Sequence, residues 1–174
     1  SLNGGRAVFA DIAVVSTDGK GLRMLTDGKG NNGFPRWAPD GRRLVYRSSG
    51  GTTRGLVILD VETGEAKELK TGSTRDNSPA WSPDGKRIAF VSTTPGPETA
   101  DATGDPVVIT RYLYKPDAAE GMTRFNDNRR MHLFVADVGT GRVDQLTDGE
   151  HYEHSVDWSP NGQELLFLTN RDAD

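Results

Sequence analysis

Short apolar runs separated by Gly-centred polar turns recur along the whole chain. Runs of five or six residues between such turns are too short for helices and predict β-strands. Three segments share one template. They read IAVVSTDGKGLRMLTDG (Ile12–Gly28), LVILDVETGEAKELKTG (Leu56–Gly72) and LFVADVGTGRVDQLTDG (Leu133–Gly149). Each is followed nine residues later by a tryptophan: Trp37, Trp81 and Trp158. The first apolar residue of each segment stands 25 positions before its tryptophan in all three copies. Around the tryptophans the text repeats again, as PRWAPDGRRLVY, PAWSPDGKRIAF and VDWSPNGQELLF. Such fixed spacing marks an internal repeat.

Each repeat predicts four short strands. In the second copy, Ser78–Ser82 surrounds Trp81, Pro83-Asp84-Gly85 makes a tight turn, and Lys86–Ser92 places Ile88, Phe90 and Ser92 on one side. Proline sets φ at such a turn, aspartate bonds its own backbone and glycine accepts positive φ. In the first copy, Leu56–Val61 is an apolar strand and Glu65–Lys70 a polar one anchored by Leu69. The only hint of helix lies near Asp117–Met122. Trp37 to Trp81 is 44 residues, the span of a four-stranded propeller blade. Trp81 to Trp158 is 77, an excess of 33 that falls at about 94–131. The expected fold is therefore all-β, a β-propeller of four-stranded antiparallel blades. Its parts are a half blade of outer strands at 11–28, blades at 34–71 and 78–148, and a half blade of inner strands at 155–169. That sums to three blades' worth, whereas propellers close with typically four to eight. Two solutions are expected: the chain is a fragment of a longer propeller, or two copies close a six-bladed ring as a homodimer.

Composition narrows the classes. The chain has 174 residues, 21 Gly, 9 Pro, no Cys and a net charge of −4. Disulfides, cysteine zinc sites and thiol catalysis are excluded, and a basic nucleic-acid surface is not expected. No window approaches the roughly 18 apolar residues of a membrane span. The opening Ser-Leu-Asn-Gly-Gly-Arg lacks the basic start and apolar core of a secretion signal, so the compartment stays open.

No G-x-S-x-G, phosphate-cradling or dinucleotide-binding glycine motif is present, and no cofactor is expected. His151-Tyr152-Glu153-His154 is the one histidine cluster; read as a metal site, it would need a distant third ligand such as His132, and the plainer reading is a polar loop. No metal site is assigned. Trp37, Trp81 and Trp158 are expected to pack between blades, because each recurs at one repeat position. Asp40-Gly41, Asp84-Gly85 and Asn161-Gly162 are expected to be structural turns rather than calcium loops, since they lack calcium-loop spacing. Arg111, Arg124, Arg129 and Arg130 could grip a carboxylate, or could form a solvated charged loop. Tyr112 and Tyr114 alternate as in a strand and could anchor the insertion or meet a partner.

The W-x-P-[DN]-G motifs, Trp37-Ala38-Pro39-Asp40-Gly41, Trp81-Ser82-Pro83-Asp84-Gly85 and Trp158-Ser159-Pro160-Asn161-Gly162, resemble the repeats of TolB-like propellers. From Pro106 onward, VVITRYLYK (Val107–Lys115), MHLFVADVGTG, QLTDG and LFLTNRDAD are similar to the propeller domain of prolyl-oligopeptidase-family peptidases of the acylaminoacyl-peptidase type. The second resemblance implies a propeller that gates access to a separate hydrolase domain. No catalytic residue of that family maps onto these positions. The expected function is thus a non-catalytic binding module, the substrate-gating or docking propeller of such a peptidase. The alternatives are a TolB-like protein-interaction scaffold and a propeller enzyme with a His-centred metal site. Short uniform turns gather at one end of the blades. The other end receives Lys29–Phe34, Ser49–Arg54, Ser73–Ser78, Glu150–Ser155 and the insertion, including Thr93–Asp105, expected to be mobile. These differ from copy to copy, so a protein or peptide ligand is expected there, with Arg75, Asp76, Arg111, Tyr112, Arg129, Arg130, His151, Tyr152 and His154 as its candidate contacts.

Overall fold

The computed structural model describes residues 9–50, 53–95 and 129–170. Arg111, Tyr112, Tyr114, Arg124, the hint of helix at Asp117–Met122 and most of Thr93–Asp105 lie outside the described residues. Twelve strands are described: β1 (Ala13–Val14), β2 (Arg23–Met24), β3 (Asn31–Trp37), β4 (Arg43–Gly50), β5 (Thr53–Asp60), β6 (Ala66–Leu69), β7 (Asn77–Trp81), β8 (Arg87–Pro95), β9 (Arg129–Asp137), β10 (Val143–Gln145), β11 (Tyr152–Trp158) and β12 (Leu165–Asn170). They form antiparallel sheets in the orders β1-β2, β3-β4-β5-β6, β7-β8-β9-β10 and β11-β12. Among the described residues no helix is long and apolar enough to cross a membrane.

Alternation along each strand sends one set of side chains to the blade before and the other to the blade after. On β4, Leu44 and Tyr46 face back onto Ile12 and Leu25 of the first sheet. Val45 faces forward onto Trp81, Ile88 and Phe90 of the next full blade. On β8, Ala89 and Val91 face forward in turn, onto Val156, Trp158 and Phe167. The core is therefore three parallel seams, each built from the same repeat positions.

The tryptophans diverge. Trp81 is buried, and the Trp158 indole Nε1 donates to the Ala80 carbonyl across the seam at 3.1 Å. Trp37, expected to pack between blades, is 49% exposed. Its side of β3 faces the position of inner strands that the β1-β2 sheet does not supply. Each innermost strand also carries a bulge three residues before its tryptophan. There Phe34, Ser78 and Ser155 adopt φ of 55°, 47° and 45°, and the pairing register shifts. Residues other than glycine rarely occupy this left-handed region, and here three of them do so at one repeat position.

Pairing extends further than the turn signals imply. Ser49 pairs Arg54 and Gly50 pairs Thr53, so strand pairing enters both ends of the segment expected as a loop at Ser49–Arg54. Thr94 pairs Arg130 and Pro95 pairs Arg129, so strand structure enters both flanks of the insertion placed at 94–131. The segments expected as loops at Lys29–Phe34, Ser73–Ser78 and Glu150–Ser155 end inside β3, β7 and β11. Backbone amides with a neighbouring strand in reach bond to it regardless of side-chain polarity.

Candidate functional site

At the copy-variable end of the seam between the two full blades is a cleft of about 420 Å³, lined among others by Ser73, Arg75, Asp76, Ser92, Thr93 and Arg129. Three candidates spaced widely in sequence, Arg75, Asp76 and Arg129, meet there because β7, β8 and β9 are neighbours in one sheet. Asp76 is not the exposed loop residue the sequence suggests: it is fully buried. Its Oδ2 accepts the Thr71 hydroxyl, and its Oδ1 is enclosed without a hydrogen-bond partner among the described residues. Burial pushes its carboxyl above the ordinary aspartate value, opposed by the hydroxyls of Thr71, Ser92 and Ser73. Ser92 donates to Ser73 at 3.0 Å. Arg129 lies on β9, not on a loop; its Nε and Nη2 donate to the Thr93 hydroxyl and carbonyl at 2.9 and 2.8 Å.

Two other candidates, Arg130 and Tyr152, meet on the next seam. Arg130, 5% exposed and far from a solvated loop, has its guanidinium 5.4 Å from the Tyr152 ring centroid. It also donates through Nε to the Glu150 carbonyl at 3.2 Å. His132 and Glu153 are both sealed inside, with Nδ1 and Oε2 2.8 Å apart, and Thr147 donates to the same carboxylate oxygen at 3.2 Å. Glu153 and His154 are adjacent on β11 and so point to opposite faces. Glu153 therefore turns inward to His132 and away from His154, which separates the residues of the His-centred metal reading. Among the described residues no group of three or more His, Asp or Glu side chains converges as metal ligands would.

Sequence reasoning missed one pattern. Five residues before the tryptophans stand Asn32, Asp76 and Glu153, all buried polar groups at the mouth of a seam. Reading back a fixed distance from each tryptophan would have found them. Two of their partners are local, Thr71 five residues before Asp76 and Thr147 six before Glu153, whereas His132 reaches Glu153 from the neighbouring β9 and carries no local signal.

At the opposite end the turns are nearly uniform. Asp40 Oδ1 accepts the Arg42 and Arg43 amides, both at 2.9 Å, and the Arg43 guanidinium reaches Oδ2 at 2.6 Å. Partial burial opposes them, yet these donors bring the Asp40 carboxyl down to about 2. Asp84 accepts the Ser82 hydroxyl at 2.6 Å and Asn161 accepts that of Ser159 at 2.7 Å. The amide oxygen of Asn161 thus takes the carboxylate's place. The variable end offers a carboxyl, hydroxyls and guanidinium groups around a cleft, an arrangement suited to hydrogen-bonded recognition; no imidazole lines it to activate a serine.

Comparison with known proteins agrees with this architecture. The family model described as TolB beta propeller domain matches residues 7–99. The chain is 30% identical over 170 residues to YuxL of Bacillus subtilis (strain 168), described as an uncharacterized peptidase, and spans 92% of itself but about a quarter (25%) of that protein's length. TolB from Acinetobacter baumannii superposes with a TM-score of 0.62 at 17% identity, over 91% of this chain and 32% of that one. Pyrococcus horikoshii acylaminoacyl peptidase does so at 0.56 and 18% identity, over 82% of this chain and 21% of that one. At those identities the two structures speak to the fold alone.

Proposed function

The chain belongs to the TolB β-propeller domain family, and from that premise we propose that it is a non-catalytic docking module that holds a peptide at the cleft between its two full blades. In the finer reading it is the substrate-gating propeller of a prolyl-oligopeptidase-type peptidase. The observation that carries this reading is the division of chemistry between the ends. Buried Asp76, Arg75, Arg129 and paired serine hydroxyls line the variable end, while near-identical turns fill the other. An extended peptide presents amide donors for a carboxyl and hydroxyls, and carbonyls and a carboxylate for guanidinium groups. The peptidase description of YuxL, a relative sharing 30% identity, supports the finer reading. The family match equally favours a TolB-like protein scaffold, in which a folded partner rather than a peptide covers the same end.

The test is fluorescence anisotropy with a fluorescein-labelled, N-acetylated octapeptide. Arg75→Ala and Arg129→Ala are expected to weaken binding about tenfold each, as loss of a charge-assisted hydrogen bond does. Thr63→Ala and Thr140→Ala, in the turns at the other end, should leave it unchanged. Binding lost in the turn variants but kept in the cleft variants would reverse the assignment of faces, and no binding by the unaltered chain would leave the scaffold reading in its place.

A further inference from the structure

Asp76 and Glu153 hold one repeat position, five residues before Trp81 and Trp158, and both are fully buried. The chain completes them differently. Glu153 receives a nitrogen donor from the preceding blade: His132 Nδ1 stands 2.8 Å from its Oε2. His132 directly precedes Leu133, the first residue of its repeat segment, and the residue at that place one copy earlier is Gly55, before Leu56. A Cβ placed on Gly55 would lie 3.8 Å from Asp76 Oδ2, so this position looks onto the carboxyl but brings no side chain to it. Asp76 is reached instead by the hydroxyls of Thr71, Ser92 and Ser73. Its Oδ1 has no partner among the described residues. Asp76 also borders the cleft of about 420 Å³, and the same three hydroxyl residues line it. A hydroxyl that donates once keeps lone pairs with which to accept. Phe90 and Phe134, stacked with ring centroids 5.6 Å apart, form part of the cleft wall. The face of an aromatic ring attracts a cation.

We propose that this cleft is an ammonium site, in which Asp76 and the surrounding hydroxyls accept the N–H donors of a primary ammonium group carried by the docked peptide. The proposal rests on the docking reading above and names the chemistry that the peptide must bring. The ligand supplies the nitrogen donor that His132 supplies at the next seam and Gly55 does not. An ammonium suits the site better than a guanidinium. Its three N–H bonds diverge, and the acceptors here arrive from different directions, Ser92 on β8 and Thr71 and Ser73 between β6 and β7. A guanidinium fork is planar and wants two carboxylate oxygens side by side, whereas Oδ2 of Asp76 is already bonded to Thr71. Arg75 and Arg129 on the same cleft then serve the peptide's carbonyls, as Arg129 already serves the carbonyl of Thr93. The ammonium has two sources in a peptide, the amino terminus and a lysine side chain, and the test separates them.

Fluorescence anisotropy compares three octapeptides of one parent sequence, each labelled at the carboxyl end. One is N-acetylated and free of lysine, one is the same with a free amino terminus, and one is N-acetylated with a single central lysine. With the unaltered chain, the free-amine peptide, the lysine peptide or both are expected to bind about tenfold tighter than the ammonium-free parent. Which of them gains identifies the source. Asp76→Asn keeps the shape of the side chain and removes its charge, so the tenfold ratio should fall to about one. Glu65→Gln, exposed at the opposite end, removes the same charge and should keep the ratio, which separates the site from attraction to the net charge of −4. Urea unfolding checks that each variant is folded. Equal binding of all three peptides by the unaltered chain would overturn the ammonium site and leave the docking reading standing. A ratio that survives Asp76→Asn, or is lost in Glu65→Gln, would overturn it as well. No binding of any of the peptides would end the docking reading itself, and this proposal with it.

Discussion

Asp40 and Asp76 are carboxylates of one chain driven in opposite directions by their surroundings. Asp40, with amide and guanidinium donors, is held at about 2. It contributes stability that is present above the ordinary carboxylate range and lost as pH falls toward 2. Asp76, raised by burial, behaves in the reverse sense: its contribution is present at low pH and lost as pH rises through its own folded value. Asp76→Asn removes that titration. Urea midpoints of the unaltered chain and Asp76→Asn, compared at pH 7 and pH 3, should therefore show the unaltered chain gaining on the variant at the lower pH. The role of Asp40 was legible in its Pro-Asp-Gly setting. That of Asp76 was not, because Thr-Arg-Asp-Asn reads as a polar loop and the residues that bury it come from other strands.

At the scale of the strand, equivalence in sequence does not mean equivalence in energy. Trp81 and Trp37 occupy one repeat position, yet one closes a seam and the other faces an open side. Trp81→Ala should cost about 3–5 kcal/mol, the range for large aromatic truncations in a core. Trp37→Ala should cost about 1 kcal/mol or less, because half of its area is in water already. Chemical denaturation of the two variants separates the values. Strand number and turn position were read correctly because period-two alternation and Pro-Asp-Gly turns are local signals. The extension of β9 to Arg129 was missed, since its pairing with Pro95 joins residues on either side of a long insertion. The left-handed bulges at Phe34, Ser78 and Ser155 were also unmarked, as none carries the glycine that usually announces positive φ.

For the whole molecule, several of the large exposed apolar side chains fall on the first and last inner strands: Phe34 and Trp37 on β3, Leu166 and Leu168 on β12. Blades bury their faces only on each other, so these patches follow from the number of repeats rather than from any one residue. Leu166→Lys with Leu168→Lys should leave the urea midpoint nearly unchanged, within about 0.5 kcal/mol. The same pair should reduce any concentration-dependent scattering that the open side causes. Repeat length, strand order and tryptophan register were determined by the sequence itself, because each rests on local spacing that a blade enforces within some forty residues. Which copy of a repeated residue is buried, which carboxyl is enclosed, and which of the scattered arginines share a cleft were decided only by tertiary structure. Those outcomes depend on the neighbour across a seam, and the neighbour is set by how blades stack, which no stretch of chain records by itself.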